Sequence, residues 1–365
     1  DGELALELAN EGALVVEPSV AAALSVARYE PSGLRLVLGA ESPLRGGART
    51  LLEAGSYVVL ARPEGRDDVI RYPLLVKRAC IHRLRLRIPE RGEVPEGMLL
   101  VPGGPFFAAA NAKATRMAER RLGDFAIGAF PVTWREYTRF LESIGADRER
   151  RHTQGEKSWI TRDDARGEWK LCEYAVEGDA RRRIPTGREL DLPASDVSFY
   201  DALAFVAWLR ERMDRPFRLP TEIEWEKALR AADGRRFSMG NHLDPAFAKL
   251  RESRPEHAQP EIVGAFPTDE SPYGVRDLTG GVGDWTATMA DGGPALALED
   301  EGKPEMDSRQ VVYRGGCYGT TALFAHAMRY TYRAADRVGW VGFRVALSLE
   351  SHGSSSLEVE PMRRR

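Results

Sequence analysis

From residue 3 to about 88 the apolar positions come in short runs: Leu4–Leu8, Leu24–Tyr29, Leu34–Leu38, Tyr57–Ala61, Val69–Val76 and Ile81–Ile88. None repeats with the period of a helix. In Leu84-Arg85-Leu86-Arg87-Ile88 apolar and charged side chains alternate, which sends them to opposite faces of a strand. Pro31, Gly33, Pro43, Gly46, Gly55 and Pro63 fall between the runs, where the chain must turn. The pattern predicts a small all-β sandwich over residues 1–88. Residues 89–97 are polar, with Pro89, Gly92, Pro95 and Gly97, and read as a linker.

A second pattern begins with the apolar run Met98–Val101. Thr133 with Glu136 forms a capping box ahead of Tyr137, Phe140 and Leu141, and so predicts a helix start. A second helix follows Ser198 or Tyr200, with Ala202, Phe205, Trp208 and Leu209 on one face, and a third starts at Thr221 with Glu224. Long Gly-rich segments separate these helices. The class is α+β, with a second domain over 98–350. Residues 145–192 are charged and weakly periodic and read as an insertion, which Trp159, Trp169 and Cys172 would anchor in part. The Ser-rich segment 351–365, ending in three arginines, reads as a disordered tail.

Six blocks in the second part carry a resemblance: Val132–Tyr137, Val197–Ala202, Arg218–Ala228, Ser271–Leu278, Tyr313–Gly316 and Gly342–Val345. In content and order they resemble the formylglycine-generating-enzyme, or sulfatase-modifying-factor, family. The resemblance implies a C-type-lectin-like fold preceded here by the sandwich. Within that fold Arg218, Glu222, Glu224, Trp225 and Arg344 read as caps, ion pairs and core that satisfy irregular backbone. In the first part, Ser42-Pro43-Leu44 and Leu52–Tyr57 resemble PEGA-type β-domains found beside bacterial kinases; an unrelated sandwich fits the same residues.

The catalytic members of the resembled family oxidise a substrate cysteine with copper held by two cysteines. Those positions fall here on Thr320 and Ala325. A hydroxyl and a methyl do not replace two thiolates, the soft ligands that select Cu(I). Cys317 lies three residues before the first position. The iron-dependent ergothioneine-type branch uses three histidines from a preceding helical domain, and no His-rich helical segment precedes this one. The expectation is therefore no catalytic residue and no redox cofactor. Family members often carry structural calcium on a Gly-Asn-Val-x-Glu-Trp turn. Here the turn reads Gly280-Gly281-Val282-Gly283-Asp284-Trp285, which loses the Asn oxygen and leaves Asp284 as a weak calcium candidate.

Between Gly316 and Gly342 the chain gathers Cys317, Tyr318, Thr320, Thr321, Phe324, His326, Tyr330, Tyr332 and Trp340. Rigid amphipathic rings mixed with hydroxyls and small residues have the makeup of a paratope, so these nine are the candidate ligand-binding residues. Alternation in Arg329-Tyr330-Thr331-Tyr332-Arg333 would instead send about half of the segment into the core. Variable proteins of diversity-generating retroelements use the same fold and vary a stretch ending near Gly-Phe-Arg, so the resemblance extends to a diversified receptor. It extends also to lectin-like modules of kinase-linked bacterial regulators. The alternatives are an oxygenase with altered ligands at Cys317 and His326, or a structural module of a larger signalling protein.

Charge narrows the partners. The 52 basic and 55 acidic side chains leave a net charge of −3, with no basic field to release counterions from nucleic acid. Arg181-Arg182-Arg183 reads as a solvated loop. No apolar run approaches the roughly 18 residues of a membrane span. The start at Asp1-Gly2-Glu3 has no signal-peptide pattern and fits a processed or excised chain. Cys80, Cys172 and Cys317 are far apart and outline no disulfide framework, which points to a reducing, cytoplasmic setting. The expected partner is a protein or other ligand on the C-terminal surface.

Overall fold

The computed structural model describes residues 10–109, 117–145, 160–163, 166–171, 187–254, 258–293, 308–322, 329–349 and 354–362. Eight strands build the first part: β1 (Glu11–Pro18), β2 (Ala22–Ser32), β3 (Arg35–Leu38), β4 (Ser42–Leu44), β5 (Thr50–Glu53), β6 (Gly55–Pro63), β7 (Ile70–Val76) and β8 (Cys80–Leu86). β1 is fully apolar from Ala13 to Val16, while β8 keeps the alternation read in the sequence, with Leu84 and Leu86 buried. One sheet runs β3-β2-β6-β7, with β4 also paired to β2. The inward side chains Val16, Val26, Val59, Leu74 and Leu84 pack into one core between the layers. The run Leu4–Leu8 lies outside the described residues, and β1 is a strand the periodicity did not single out.

The other sheet runs β21-β8-β1-β5, and its outer strand β21 (Ser356–Pro361) comes from the C-terminal end. Over residues 354–362 this corrects the reading of 351–365 as disordered. Leu357 and Val359 alternate with Glu358 and Glu360, a half-buried strand pattern whose apolar side needs a partner. β8 supplies it: Leu357 sits opposite Leu84 and is buried, while Glu358 lies 3.6 Å from Arg85. Asp124 clasps the return, its Oδ1 accepting from the amides of Gly103 (2.5 Å) and Ser355 (3.0 Å).

The second part opens with β9 (Met98–Val101), β10 (Gly104–Ala109), β11 (Met117–Leu122) and β12 (Phe125–Gly128), then helix α1 (Trp134–Ile144). The hairpin β13 (Ile160–Asp163) and β14 (Glu168–Leu171) follows, then α2 (Phe199–Met213), β15 (Phe217–Arg218) and α3 (Glu222–Arg230). The chain continues through β16 (Gly283–Met289), β17 (Gln310–Arg314), β18 (Arg329–Arg333), β19 (Val341–Phe343) and β20 (Ala346–Ser348). Long ordered loops join few regular elements, in agreement with the C-type-lectin-like fold that the resemblance implies. The three α-helices among the described residues begin with reciprocal capping boxes, at Thr133 with Glu136, Ser198 with Asp201 and Thr221 with Glu224. Each cap contributes about 1 kcal/mol. The buried faces of α1 and α2 bring Tyr137, Phe140 and Phe205 together with Phe343, rings 5.3–6.2 Å apart, around the main core.

Part of the expected insertion belongs to this core. Ile160 and Leu192 are buried, and the Trp169 indole donates to Glu142 at 3.2 Å. Trp159, Cys172 and Arg181–Arg183 lie outside the described residues. The two parts share a polar seam: Tyr72 Oη donates to Gly103 O (2.9 Å), Ser56 Oγ to Asp233 (2.6 Å), and Arg71 pairs with Glu270 (2.7 Å).

Candidate functional site

The sheet β18-β17-β16-β19 carries the segment that the sequence singled out. β16 pairs in parallel with β19 and antiparallel with β17, and β18 is an edge. Two internal ion pairs fix its frame. Arg344 Nε meets Asp284 Oδ2 at 2.7 Å, with both side chains out of contact with solvent, and Trp225 Nε1 donates to the same oxygen at 2.8 Å. The other arginine nitrogens reach the carbonyls of Gly128, Arg276 and Asp277. Arg314 pairs with Glu226 at 2.9 Å and stacks over the Trp225 ring. Gly315 follows at φ +97°, and a Cβ there would lie 3.1 Å from the Trp225 ring. Only glycine fits that turn without strain.

Past the glycines the chain makes a tight turn. Thr320 N donates to Cys317 O at 2.9 Å, and Thr320 Oγ1 accepts from the Cys317 amide while lying 3.1 Å from its Sγ. Cys317 is buried, and that burial pushes its thiol pKa up against the opposing hydrogen bond from Thr320. The thiol is therefore protonated at neutral pH. The Tyr318 amide donates to Gly281 O (2.8 Å) and its hydroxyl to Gly339 O (3.0 Å), so this ring is structural cement under the surface.

Above the turn lies an aromatic group. Tyr313 stacks on Tyr332 at 5.3 Å and on Tyr330 at 5.6 Å. Burial, then the neighbouring Tyr332 and Cys317, push the Tyr313 hydroxyl pKa far up, so it stays neutral. Tyr330 and Trp340 are the exposed members, at 42% and 39%. Tyr332, Thr320 and Thr321 are half-buried. The structure therefore gathers Cys317, Tyr318, Thr320, Tyr330, Tyr332 and Trp340 about one edge, with Cys317 and Tyr318 beneath it. Phe324, His326 and Ala325 lie outside the described residues. Tyr313 is the member that the sequence reading left out of the site, having placed it in a structural block. Its register opposite Tyr330 would have found it. A cleft of about 470 Å3 between the two parts, lined by Ile88, Arg215 and Leu349 among others, contains none of these residues.

The donors do not fit the metals that the resemblance implies. Thr320 offers one hydroxyl, already engaged with Cys317. Among the described residues no group of three or more His, Cys, Asp or Glu side chains is placed to hold an ion. Asp284, the calcium candidate, faces a guanidinium at 2.7 Å that would repel a divalent cation. Its Oδ2 is engaged in that ion pair.

Residues 87–349 match the family described as the sulfatase-modifying factor enzyme 1-like domain. Hercynine oxygenase of Mycolicibacterium smegmatis is 32% identical over 204 residues, covering 52% of this chain and 45% of that protein. The chain thus spans about half the length of that relative. Inactive Cα-formylglycine-generating enzyme 2 of Mus musculus is 31% identical over 230 residues, covering 52% of this chain and 68% of that one. The solved structure of PvdO from Pseudomonas aeruginosa shares the fold, with a TM-score of 0.50 and 22% identity over 69% of this chain and 94% of that one. The relatives include proteins named as oxygenases and proteins named as inactive. With its capping boxes, its Arg344–Asp284 pair and its matched span of 87–349, the chain belongs to the sulfatase-modifying factor enzyme 1-like family.

Proposed function

We propose that this chain is a non-catalytic recognition protein that binds a protein or other ligand with the aromatic edge of its C-terminal sheet. The observation that carries the reading is Thr320. It stands where catalytic relatives are expected to hold a copper-ligating cysteine, and its hydroxyl is bound to a buried, protonated Cys317. The edge itself supports recognition. Tyr330 and Trp340 expose ring surface, and Tyr330 is held by stacking on Tyr313, so little of its side-chain freedom remains to be lost on binding.

The test is selection from a randomised displayed peptide library on the wild type and on a Tyr330→Ala, Trp340→Ala variant. Enriched binders that lose affinity at least tenfold on the variant support the reading. Identity to hercynine oxygenase favours the rival, an oxygenase of altered ligand set. Stoichiometric copper or iron in purified protein, lost on Cys317→Ser and accompanied by turnover of a thiol substrate, would establish the rival instead. The diversified-receptor form of the reading predicts that copies of the gene in related strains differ chiefly between Cys317 and Trp340. Evenly spread differences refute that form.

A further inference from the structure

The turn that carries Cys317, Tyr318 and Thr320 rests on a shelf that the sandwich touches. The Arg251 amide donates to Thr320 O (3.0 Å), and the Ala322 amide donates to Glu252 Oε2 (3.2 Å). Below these bonds Phe237, Met239, Ala248 and Leu250 form a small separate core on which Phe247 and Ala322 pack. A second route reaches Tyr318: its amide is bound to Gly281 O, and Gly281 N is bound to Lys249 O. Buried Asp269 joins the two routes. It accepts from Ser238 Oγ (2.5 Å) and from the amides of Thr279 (3.0 Å) and Gly280 (3.1 Å).

One strand of the sandwich closes on this shelf. β3 is the edge of its sheet, and its Leu36 stands opposite Pro31 of β2. Its amide turns outward and donates to Met239 O at 2.8 Å, in the middle of the tight turn Phe237–Gly240. Gly240, at φ +141°, lets the two backbones approach; a Cβ there would lie 3.2 Å from Leu36 N. Beside it the Arg35 guanidinium lies over the Phe247 ring at 5.7 Å. A single layer of shelf residues thus separates Leu36 from the site turn.

We propose that the β2–β3 hairpin is a positioning element for the recognition turn, and that Leu36 acts through its backbone donor as the positioning residue. The hairpin holds the 237–252 shelf, and the shelf holds 317–322. A ligand or partner that grips the sandwich would therefore change the site without touching it. That the turn binds a ligand rests on the recognition reading above. The coupling itself is tested without any ligand, so the two ideas fail separately.

The experiment uses the full chain with Cys80→Ser and Cys172→Ser, which leaves Cys317 as the sole thiol. Its alkylation rate by iodoacetamide is measured together with amide exchange at Tyr318 and Thr320. Leu36→Pro removes the outward donor and no bond of the β2 ladder, since the Leu36 amide is engaged with Met239 O and not with β2. It should raise the alkylation rate at least tenfold and speed exchange at both amides, with cooperative unfolding retained. Leu36→Ala keeps the donor and should stay within twofold of the parent. Arg35→Ala with Phe247→Ala is the second route to the same loosening if Leu36→Pro fails to fold. Rates within twofold of the parent in the folded hairpin variant overturn the proposal. So does an equal rise from Val59→Ala, a core truncation elsewhere in the sandwich.

Discussion

Replacing Asp284 by alanine leaves the Arg344 guanidinium buried and uncompensated. The arginine keeps its hydrogen bonds to the carbonyls of Gly128, Arg276 and Asp277 but loses the one negative charge it contacts. The Trp225 indole loses its acceptor at the same time. Breaking a fully buried pair from one side destabilises by about 3–5 kcal/mol. Asp284→Asn retains an oxygen in place and should lose about 2 kcal/mol, the value of a charge-assisted bond reduced to a neutral one. Arg344→Met strands the carboxylate in turn, at about 3–5 kcal/mol. Once either partner has gone the second removal has less to break. The double variant should therefore be more stable than the sum of the singles by at least about 2 kcal/mol. Urea unfolding at pH 7 measures all four corners of the cycle, with an unchanged m-value as the check on two-state behaviour. Loss below about 1 kcal/mol in Asp284→Ala, or additivity within about 0.5 kcal/mol, would refute the ion-pair account. A calcium-dependent rise in the wild-type midpoint that Asp284→Ala abolishes would reassign the carboxylate to a cation.

Burial holds the Lys227 ammonium down to a pKa of about 7, against attraction from Asp124 and Glu224. Its unfolded value is about 10.4, so between pH 7 and 10 the unfolded chain binds more protons than the folded one. Stability should therefore rise with pH across that window, by up to about 1.4 kcal/mol per unit. Lys227→Met should flatten the rise, and an unchanged slope in urea titrations refutes the assignment. Tyr330→Ala and Trp340→Ala should each change stability by no more than about 1 kcal/mol, because both rings are substantially exposed. Tyr313→Ala should lose about 3 kcal/mol or more in the same melts. Gly315→Ala should lose at least about 2 kcal/mol, since φ +97° and the Trp225 ring both oppose a methyl group. Removing residues 354–362 should lower the sandwich's melting temperature by exposing Leu84 and releasing Asp124; an unchanged melt would show β21 to be dispensable.

What the sequence determined by itself was local or carried by motif. The capping boxes at Thr133 and Thr221 marked two helix starts, because the capping residues lie three apart and need no distant partner, while the matching box at Ser198 with Asp201 emerged only in the fold. The alternation of Leu84 and Leu86 fixed the inner face of β8, and the six family blocks fixed the lectin-like fold of the second part. That a threonine stands at 320, where the resemblance implies a copper-ligating cysteine, was also legible, since it depends on residue type alone.

Tertiary structure alone decided which partners meet across the chain. Leu357 and Val359 are too few to declare a strand until β8 offers its edge, more than two hundred residues earlier in sequence. Asp284 reads as a weak cation candidate in the sequence, and only the fold shows Arg344, sixty residues away, bonded to one of its oxygens. Tyr318 and Tyr330 have the same side chain and lie in the same candidate segment. One ring hydrogen-bonds beneath the surface, and the other stands at an open sheet edge. Burial is a property of what packs against a residue from elsewhere, so a one-dimensional pattern ranks these tyrosines alike and only the folded chain separates cement from surface.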